Sequence, residues 1–277
     1  MTLLEFILWI LSICSEVAMG YGIYVSLGPI YLFIPIILTP FIFIVWFALW
    51  ILFITLWGLT FNKKKEPKFS KFYYAILVAT DTLFLRIIRV HIHLNGKEKL
   101  PKDRRYLIVS NHVSNFDHMT LLAAFRKEEY PLLAITKPEN MDFPIAGPLI
   151  HHSGFIPINR ENAKEGIKAI IKGANYLKSG TLNIAICPEG TRNKTEELLL
   201  PFHPGSFKLA EWSKAPIVII CFKGTKEIAK LVPWHKAIVN IDILEVINPE
   251  DYADKNTTEL AKHAEEIIID HLKENAR

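Results

Sequence analysis

Tyr106-Leu107-Ile108-Val109-Ser110-Asn111-His112-Val113-Ser114-Asn115-Phe116-Asp117-His118 is the stretch from which the rest of the chain is read. Its first four residues make a compact apolar run of strand length, and after Ser110 a mixed octet, Asn111 to His118, follows. The octet therefore lies in a loop at the carboxyl end of a strand, where α/β sheets keep their sites. On one regular helix His112 and Asp117 would point about 140° apart at 3.6 residues per turn, so the pair needs a turn between its members. Ser114 or Asn115 can cap a helix starting there, leaving His112 in the loop and Asp117 in the first helical turn. A carboxylate so placed binds one imidazole nitrogen, fixes the tautomer and stabilises the charge formed when the other nitrogen takes a proton. For an isolated pair the commoner meaning is a loop hydrogen bond beside a helix N-terminus, so its company decides.

Outward from that loop, compact apolar runs alternate with helical periods, the pattern of a layered α/β domain. Strands are expected at residues 106–109, 132–136, 155–158, 182–187, 217–222 and 237–247, with a short one at 90–94 ending in the Asn95-Gly96 turn. The plainest helix covers 162–178, where Ala163, Ile167, Ile170, Ile171, Ala174 and Leu177 recur at three and four residues and Gly180 supplies the stop. A last helix starts near Asn256, caps toward Glu259 and turns Leu260, Ala264, Ile267 and Leu272 inward. Residues 73–88 read as an amphipathic helix interrupted by Asp81 and Arg86, with basic and aromatic residues around 68–74 holding it at a bilayer interface. No internal repeat divides the chain. The expectation is an α/β fold, a mixed and mostly parallel sheet flanked by helices over residues 62–277, preceded by a hydrophobic helical hairpin.

That hairpin occupies residues 1–61, which hold no Lys or Arg and only two acids, Glu5 and Glu16. A crossing takes about 20 apolar residues, so the block contains two helices, broken near Gly28-Pro29. Lys63-Lys64-Lys65 closes the second, and basic flanks mark the cytoplasmic side, where the catalytic domain is then expected. Glu5, Glu16, Pro35 and Pro40 each spoil a regular span and support the alternative, a hairpin dipping into one leaflet. No basic region precedes the apolar stretch, against a cleaved leader. All 32 Lys and Arg, but only 26 of the 28 acids, lie after it. This basic balance suits an anionic bilayer or phosphorylated substrates. No basic helix with interleaved aromatics points to nucleic acid. Cys14, Cys187 and Cys221 are too few and scattered for a disulfide framework or a zinc site, which fits a reducing compartment.

Three further blocks accompany His112 and Asp117: Gly154-Phe155-Ile156-Pro157-Ile158-Asn159-Arg160, Pro188-Glu189-Gly190-Thr191-Arg192, and Pro216 with the apolar run behind it. In this order the chain resembles the lysophosphatidic acid acyltransferase family, also called glycerolipid or PlsC-type acyltransferases. The resemblance implies the glycerolipid acyltransferase fold and transfer of a fatty acyl group from acyl-CoA or acyl carrier protein (acyl-ACP) to the sn-2 hydroxyl of 1-acyl-glycerol 3-phosphate, giving phosphatidic acid. It implies His112 as base and no metal or other cofactor. Partners are the bilayer, the lysophospholipid acceptor and the thioester donor. Cys187 departs from the family pattern, which often has phenylalanine or a similar apolar residue there.

The residues themselves agree. Arg160 closes one strand and Arg192 follows a turn at the end of another, so two guanidinium forks can hold a phosphate monoester bidentately. Gly190 lets the backbone approach a ligand, Gly154 opens its block, Thr191 sits between turn and arginine, and Glu189 orients an arginine or accepts a glycerol hydroxyl. Backbone amides near the loop would stabilise the oxyanion. Lys137, just past a strand, matches a lysine often present in the family and contacts phosphate or thioester, or else is simply solvated. Taken singly, Arg160 is a surface residue and Glu189-Gly190 a turn. Cys187 raises a rival route as acyl-accepting nucleophile with His112 as its base; its place at the end of an apolar strand favours core packing. His91 with His93, and His151 with His152, lack a third metal ligand at telling spacing and read as structural. Another lysolipid or glycerol 3-phosphate as acceptor, or a non-catalytic lipid-binding role, are the remaining alternatives.

Overall fold

The computed structural model describes residues 2–59, 66–144, 146–159 and 162–274. The chain opens with two long helices, α1 (Leu3–Leu27) and α2 (Phe33–Gly58), followed by α3 (Lys71–Ile87). The first two part at Gly28, whose φ of +89° ends α1 before a short turn that begins at Pro29. Pro40 was expected to spoil the second helix, yet α2 runs through it. The carbonyl that proline's missing N–H leaves unmatched belongs to Ile36, and Thr39 Oγ1 donates to it at 2.8 Å. Glu5 is equally well accommodated: with Thr2 it forms a capping box at the start of α1, and its carboxylate pairs with Arg86 of α3. Helix α3 in turn passes unbroken through Asp81 and Arg86, because Asp81 is buried on the inner face beside Leu77 and Val78 while Arg86 reaches Glu5.

At 1.5 Å per residue α1 and α2 are about 37 and 39 Å long, and both are long and apolar enough to cross a membrane. They expose Tyr21, Ile36, Phe41 and other large hydrophobic side chains. The carboxyl half of α2 is docked on the rest of the chain. Trp50 Nε1 donates to Thr80 Oγ1 of α3 at 3.1 Å, and Ile54 is 1% exposed within the main core. Burying a side chain of that size contributes about 2 kcal/mol.

Seven strands follow: β1 (Val90–Asn95), β2 (Leu107–Ser110), β3 (Leu132–Thr136), β4 (Ile156–Pro157), β5 (Asn183–Ile186), β6 (Ile217–Lys223) and β7 (Ala237–Ile247). They form one sheet in the order β1-β7-β6-β2-β5-β3-β4, antiparallel between β6 and β7 and parallel elsewhere. Strands β2, β3 and β5 are buried along their whole length, as unbroken apolar runs in a helix-covered parallel sheet should be. Strand β4 is shorter than expected because Pro157 brings no N–H to the ladder, which confines it to the edge. Since β6, β2, β5 and β3 are neighbours and all parallel, their carboxyl ends share one edge of the sheet.

The remaining helices are α4 (Phe116–Phe125), α5 (Ala146–His152), α6 (Ala163–Lys178), α7 (Lys208–Ser213), α8 (Ile228–Leu231) and α9 (Thr257–Glu274). Asn162 caps α6 as its position predicts, accepting from the N–H groups of Lys164 and Glu165. The buried face of α6 is rotated from the expected one: Ala169, Ile170, Gly173, Ala174 and Leu177 are inside, while Ala163, Ile167 and Ile171 face out. Leu209 of α7 approaches so closely that a Cβ on Gly173 would lie 2.6 Å from its Cδ2, so the small residues must form the contact. In α9 the Asn256 cap with Glu259 forms as expected, and Ala261 and Ile268 join Leu260 and Ala264 inside. Gly58, at the end of α2, lies against Pro148 of α5.

Candidate active site

The chain leaves β2 through Asn111, which is 1% exposed and spans to β6: its Nδ2 donates to the Phe222 carbonyl at 3.1 Å and its Oδ1 accepts from the Phe222 N–H at 2.7 Å. The backbone is thus fixed one residue before His112. His112 Nδ1 lies 2.8 Å from Asp117 Oδ2, with Asp117 in the first turn of α4. The same oxygen accepts from the Val113 and Ser114 N–H groups, each at 2.9 Å. Oδ1 accepts from Thr225 Oγ1, beyond the end of β6, at 2.6 Å. A buried carboxylate needs such a set of donors, and Asp117 is 0% exposed. Its position at Nδ1 makes that nitrogen the protonated one and leaves the lone pair on Nε2. Ser114 contributes to the turn by accepting from the Phe116 N–H at 3.2 Å.

The opposite wall hangs from β5. Gly190 adopts φ +79°, a left-handed conformation that costs other residues energy, and its N–H donates to the Cys187 carbonyl at 3.1 Å. Glu189 is buried, and in place of the expected contact with an arginine or the acceptor it joins two loops. Its Oε1 accepts from the His112 N–H at 2.5 Å and its Oε2 from the Leu200 N–H at 2.9 Å. Burial pushes its carboxyl above the usual range, opposed by those two N–H groups. Between the walls lies a cavity of about 260 Å³ in which Lys137, Gly190, Thr191, Arg192 and Lys194 meet His112. Among the described residues that line it there is no acid. Gly154 is elsewhere: at φ +87° its α-carbon faces the backbone of Phe69, where a Cβ would lie 2.4 Å from the nitrogen. Arg160 is outside the described residues.

Residues 91–223 match the family model described as Acyltransferase. Over these residues the chain is similar to that family. The chain is 28% identical over 203 residues to the 1-acyl-sn-glycerol-3-phosphate acyltransferase of Saccharomyces cerevisiae, covering 70% of this chain and 65% of that protein. It is 28% identical over 168 residues to the Escherichia coli protein of the same name, covering 61% and 67%. The match thus spans slightly less than two thirds of the yeast relative. Among solved structures, the 1-acyl-sn-glycerophosphate (LPA) acyltransferase PlsC from Thermotoga maritima shares the fold, with a TM-score of 0.59, 22% identity and coverage of 86% of this chain and 93% of that one. His112, Asp117, Lys137, Glu189 and Arg192 fall within the matched residues; Thr225 lies just beyond them.

A second, mostly apolar cavity of about 190 Å³ adjoins the first, sharing Asn115, His118, Thr136, Asn140 and Phe143 with it. Leu77 and Asp81 of α3, Met119 of α4 and Ile150 of α5 line it, so two of its walls are the helices against which α2 is docked. Burial raises the Asp81 carboxyl to about 7. His118 is pushed down to about 4, first by burial and then by His112, with Asp117 opposing. Its ring meets that of His112 edge-on at 5.7 Å. Cys187 is buried at the wall of the first cavity, its Sγ 3.3 Å from Ser110 Oγ. Sequence reasoning missed Asn111, His118 and Thr225. Asn111 carried a signal, a polar residue continuing an apolar strand; Thr225 carried none.

Proposed function

We propose that this chain is a membrane-anchored acyltransferase that moves a fatty acyl group from acyl-CoA or acyl-ACP to the sn-2 hydroxyl of 1-acyl-glycerol 3-phosphate, yielding phosphatidic acid. The observation that carries the reading is the His112–Asp117 pair opening into a cavity with Lys137, Arg192 and Lys194 and no described acid. That charge suits a phosphate monoester, and the adjoining apolar cavity suits the acyl chain of the donor.

In this mechanism His112 Nε2 takes the proton of the acceptor hydroxyl as its oxygen attacks the thioester carbonyl. Asp117 holds the ring and stabilises the imidazolium. The tetrahedral intermediate collapses to the ester, the carbon–sulfur bond breaks, and the imidazolium returns its proton to the departing thiolate. The amides of His112, Val113 and Ser114 are already committed to Glu189 and Asp117, so the oxyanion draws its donors from the opposite wall at Thr191 and Arg192. Arg192 and Lys137 hold the acceptor phosphate; Arg160 joins them on the strength of its sequence block. The helices α1 and α2 keep the apolar cavity beside the bilayer from which lipid enters, and Lys63-Lys64-Lys65 sets the domain on the cytoplasmic side.

His112→Ala, purified in detergent and checked for folding and membrane binding, is expected to lose about 10²- to 10⁴-fold in acyl transfer; transfer at the wild-type rate would end this mechanism. Assaying the wild-type chain against a panel of lysolipids with both thioester donors names the acceptor. Preference for a lysolipid without a phosphate monoester overturns the assignment of 1-acyl-glycerol 3-phosphate.

A further inference from the structure

His112, His118 and Cys187 are the one group of three His, Cys, Asp or Glu side chains among the described residues whose ligating atoms come together, all within 4.8 Å of one another. We propose that they form an inhibitory site for a soft divalent cation of the zinc class, completed by a water from the cavity.

Four observations support it. A tetrahedral zinc site with nitrogen and sulfur ligands sets its donor atoms about 3.3–3.6 Å apart, so the trio needs to close by little more than an ångström. Asp117 already holds Nδ1 of His112, the carboxylate–histidine arrangement that orients an imidazole toward a metal. His118 Nε2 is buried without a hydrogen-bond partner. The cavity beside the trio has room for the fourth ligand and, with no described acid in its lining, nothing to favour calcium or magnesium.

On binding, the Cys187 thiol gives its proton to solvent and the thiolate becomes the ligand. The negative charges of that thiolate and of Asp117 offset the repulsion from Lys137, Arg192 and Lys194, which keeps the cation exchangeable. The inhibitory consequence rests on the proposed role of His112, whose Nε2 lone pair the metal would occupy; the binding itself does not.

The test uses the full chain in detergent, stripped with a chelator. Cobalt titration is expected to give the near-ultraviolet thiolate band and the visible bands of a tetrahedral site at one equivalent per chain, both removed by zinc. Cys187→Ser and His118→Ala, each checked by circular dichroism, lose the thiolate band and the tetrahedral pattern respectively. Zinc inhibits acyl transfer reversibly, EDTA restores it, and Cys187→Ser, measured against its own metal-free rate, shifts the half-inhibiting zinc concentration upward by about tenfold or more. A cobalt titration without a thiolate band overturns the site whether or not the chain transfers acyl groups. Undiminished zinc sensitivity in Cys187→Ser overturns the inhibition.

Discussion

Thr225→Val isolates the contribution of a fully buried residue that does not line the cavity of His112. Thr225 Oγ1 is the hydrogen-bond donor to Asp117 Oδ1, at 2.6 Å, while the three donors on Oδ2 come from His112 and the loop around it. Valine keeps the shape and removes the donor, leaving one oxygen of a fully buried carboxylate without a partner. A hydrogen bond to a charged group is worth about 1.5–3 kcal/mol. If all of that falls on the step in which Asp117 faces a forming imidazolium, kcat drops about 10- to 150-fold. Thr225→Ser is the control. It keeps the hydroxyl and deletes a methyl from a residue that is 0% exposed, so it costs stability of about 1 kcal/mol and leaves the rate close to wild type. Initial rates of the proposed acyl transfer, with KM for acceptor and donor and a thermal melt for each variant, separate the two effects. Thr225→Val with wild-type kcat, or Thr225→Ser losing as much rate as Thr225→Val, would refute the reasoning.

Arg192→Ala is expected to raise KM for the proposed acceptor, lysophosphatidic acid, about 10- to 100-fold with little change in kcat; steady-state kinetics with each substrate varied would show it, and an effect confined to the donor would assign Arg192 to the thioester. Asp81 keeps its proton in the folded chain to about pH 7, whereas the unfolded chain releases it near 3.8. The native state therefore binds more protons in that window, and stability falls as pH rises through it. Asp81→Asn should flatten the change in melting temperature between pH 5 and pH 8; an unchanged slope would contradict the buried, protonated carboxyl. Cys187→Ala is expected to retain acyl transfer, because its buried thiol takes no part in the proposed step, and complete loss of activity would restore the covalent route.

Local features were legible because they depend on near neighbours. The His112–Asp117 pair needs only a turn between the two, and Ser114 and Asn115 are residues that make one. The Asn256 cap is set within four residues, and the break between α1 and α2 by Gly28-Pro29. The apolar runs of β3 and β7 place those strands with the expected bounds. Where packing against a distant segment decides, periodicity misled. Ile167 and Ile171 repeat correctly for an inner face, but Leu209 presses on Gly173 and turns the small residues inward. Pro40 breaks a helix unless the exposed carbonyl finds a donor, and that depended on the rotamer of Thr39.

By itself, the sequence determined an apolar pair of helices, an alternation of strands and helices, and a histidine with its carboxylate at a strand's end, since each follows from period, turn chemistry and spacing over a few residues. Only the tertiary structure could bring Lys137 and Arg192 to His112, put Thr225 on Asp117 across 108 positions, and hold the His112 amide with Glu189 across 77. Those contacts arise because β6, β2, β5 and β3 lie side by side and run the same way, and the order of strands in a sheet is settled by long-range packing that no local window contains.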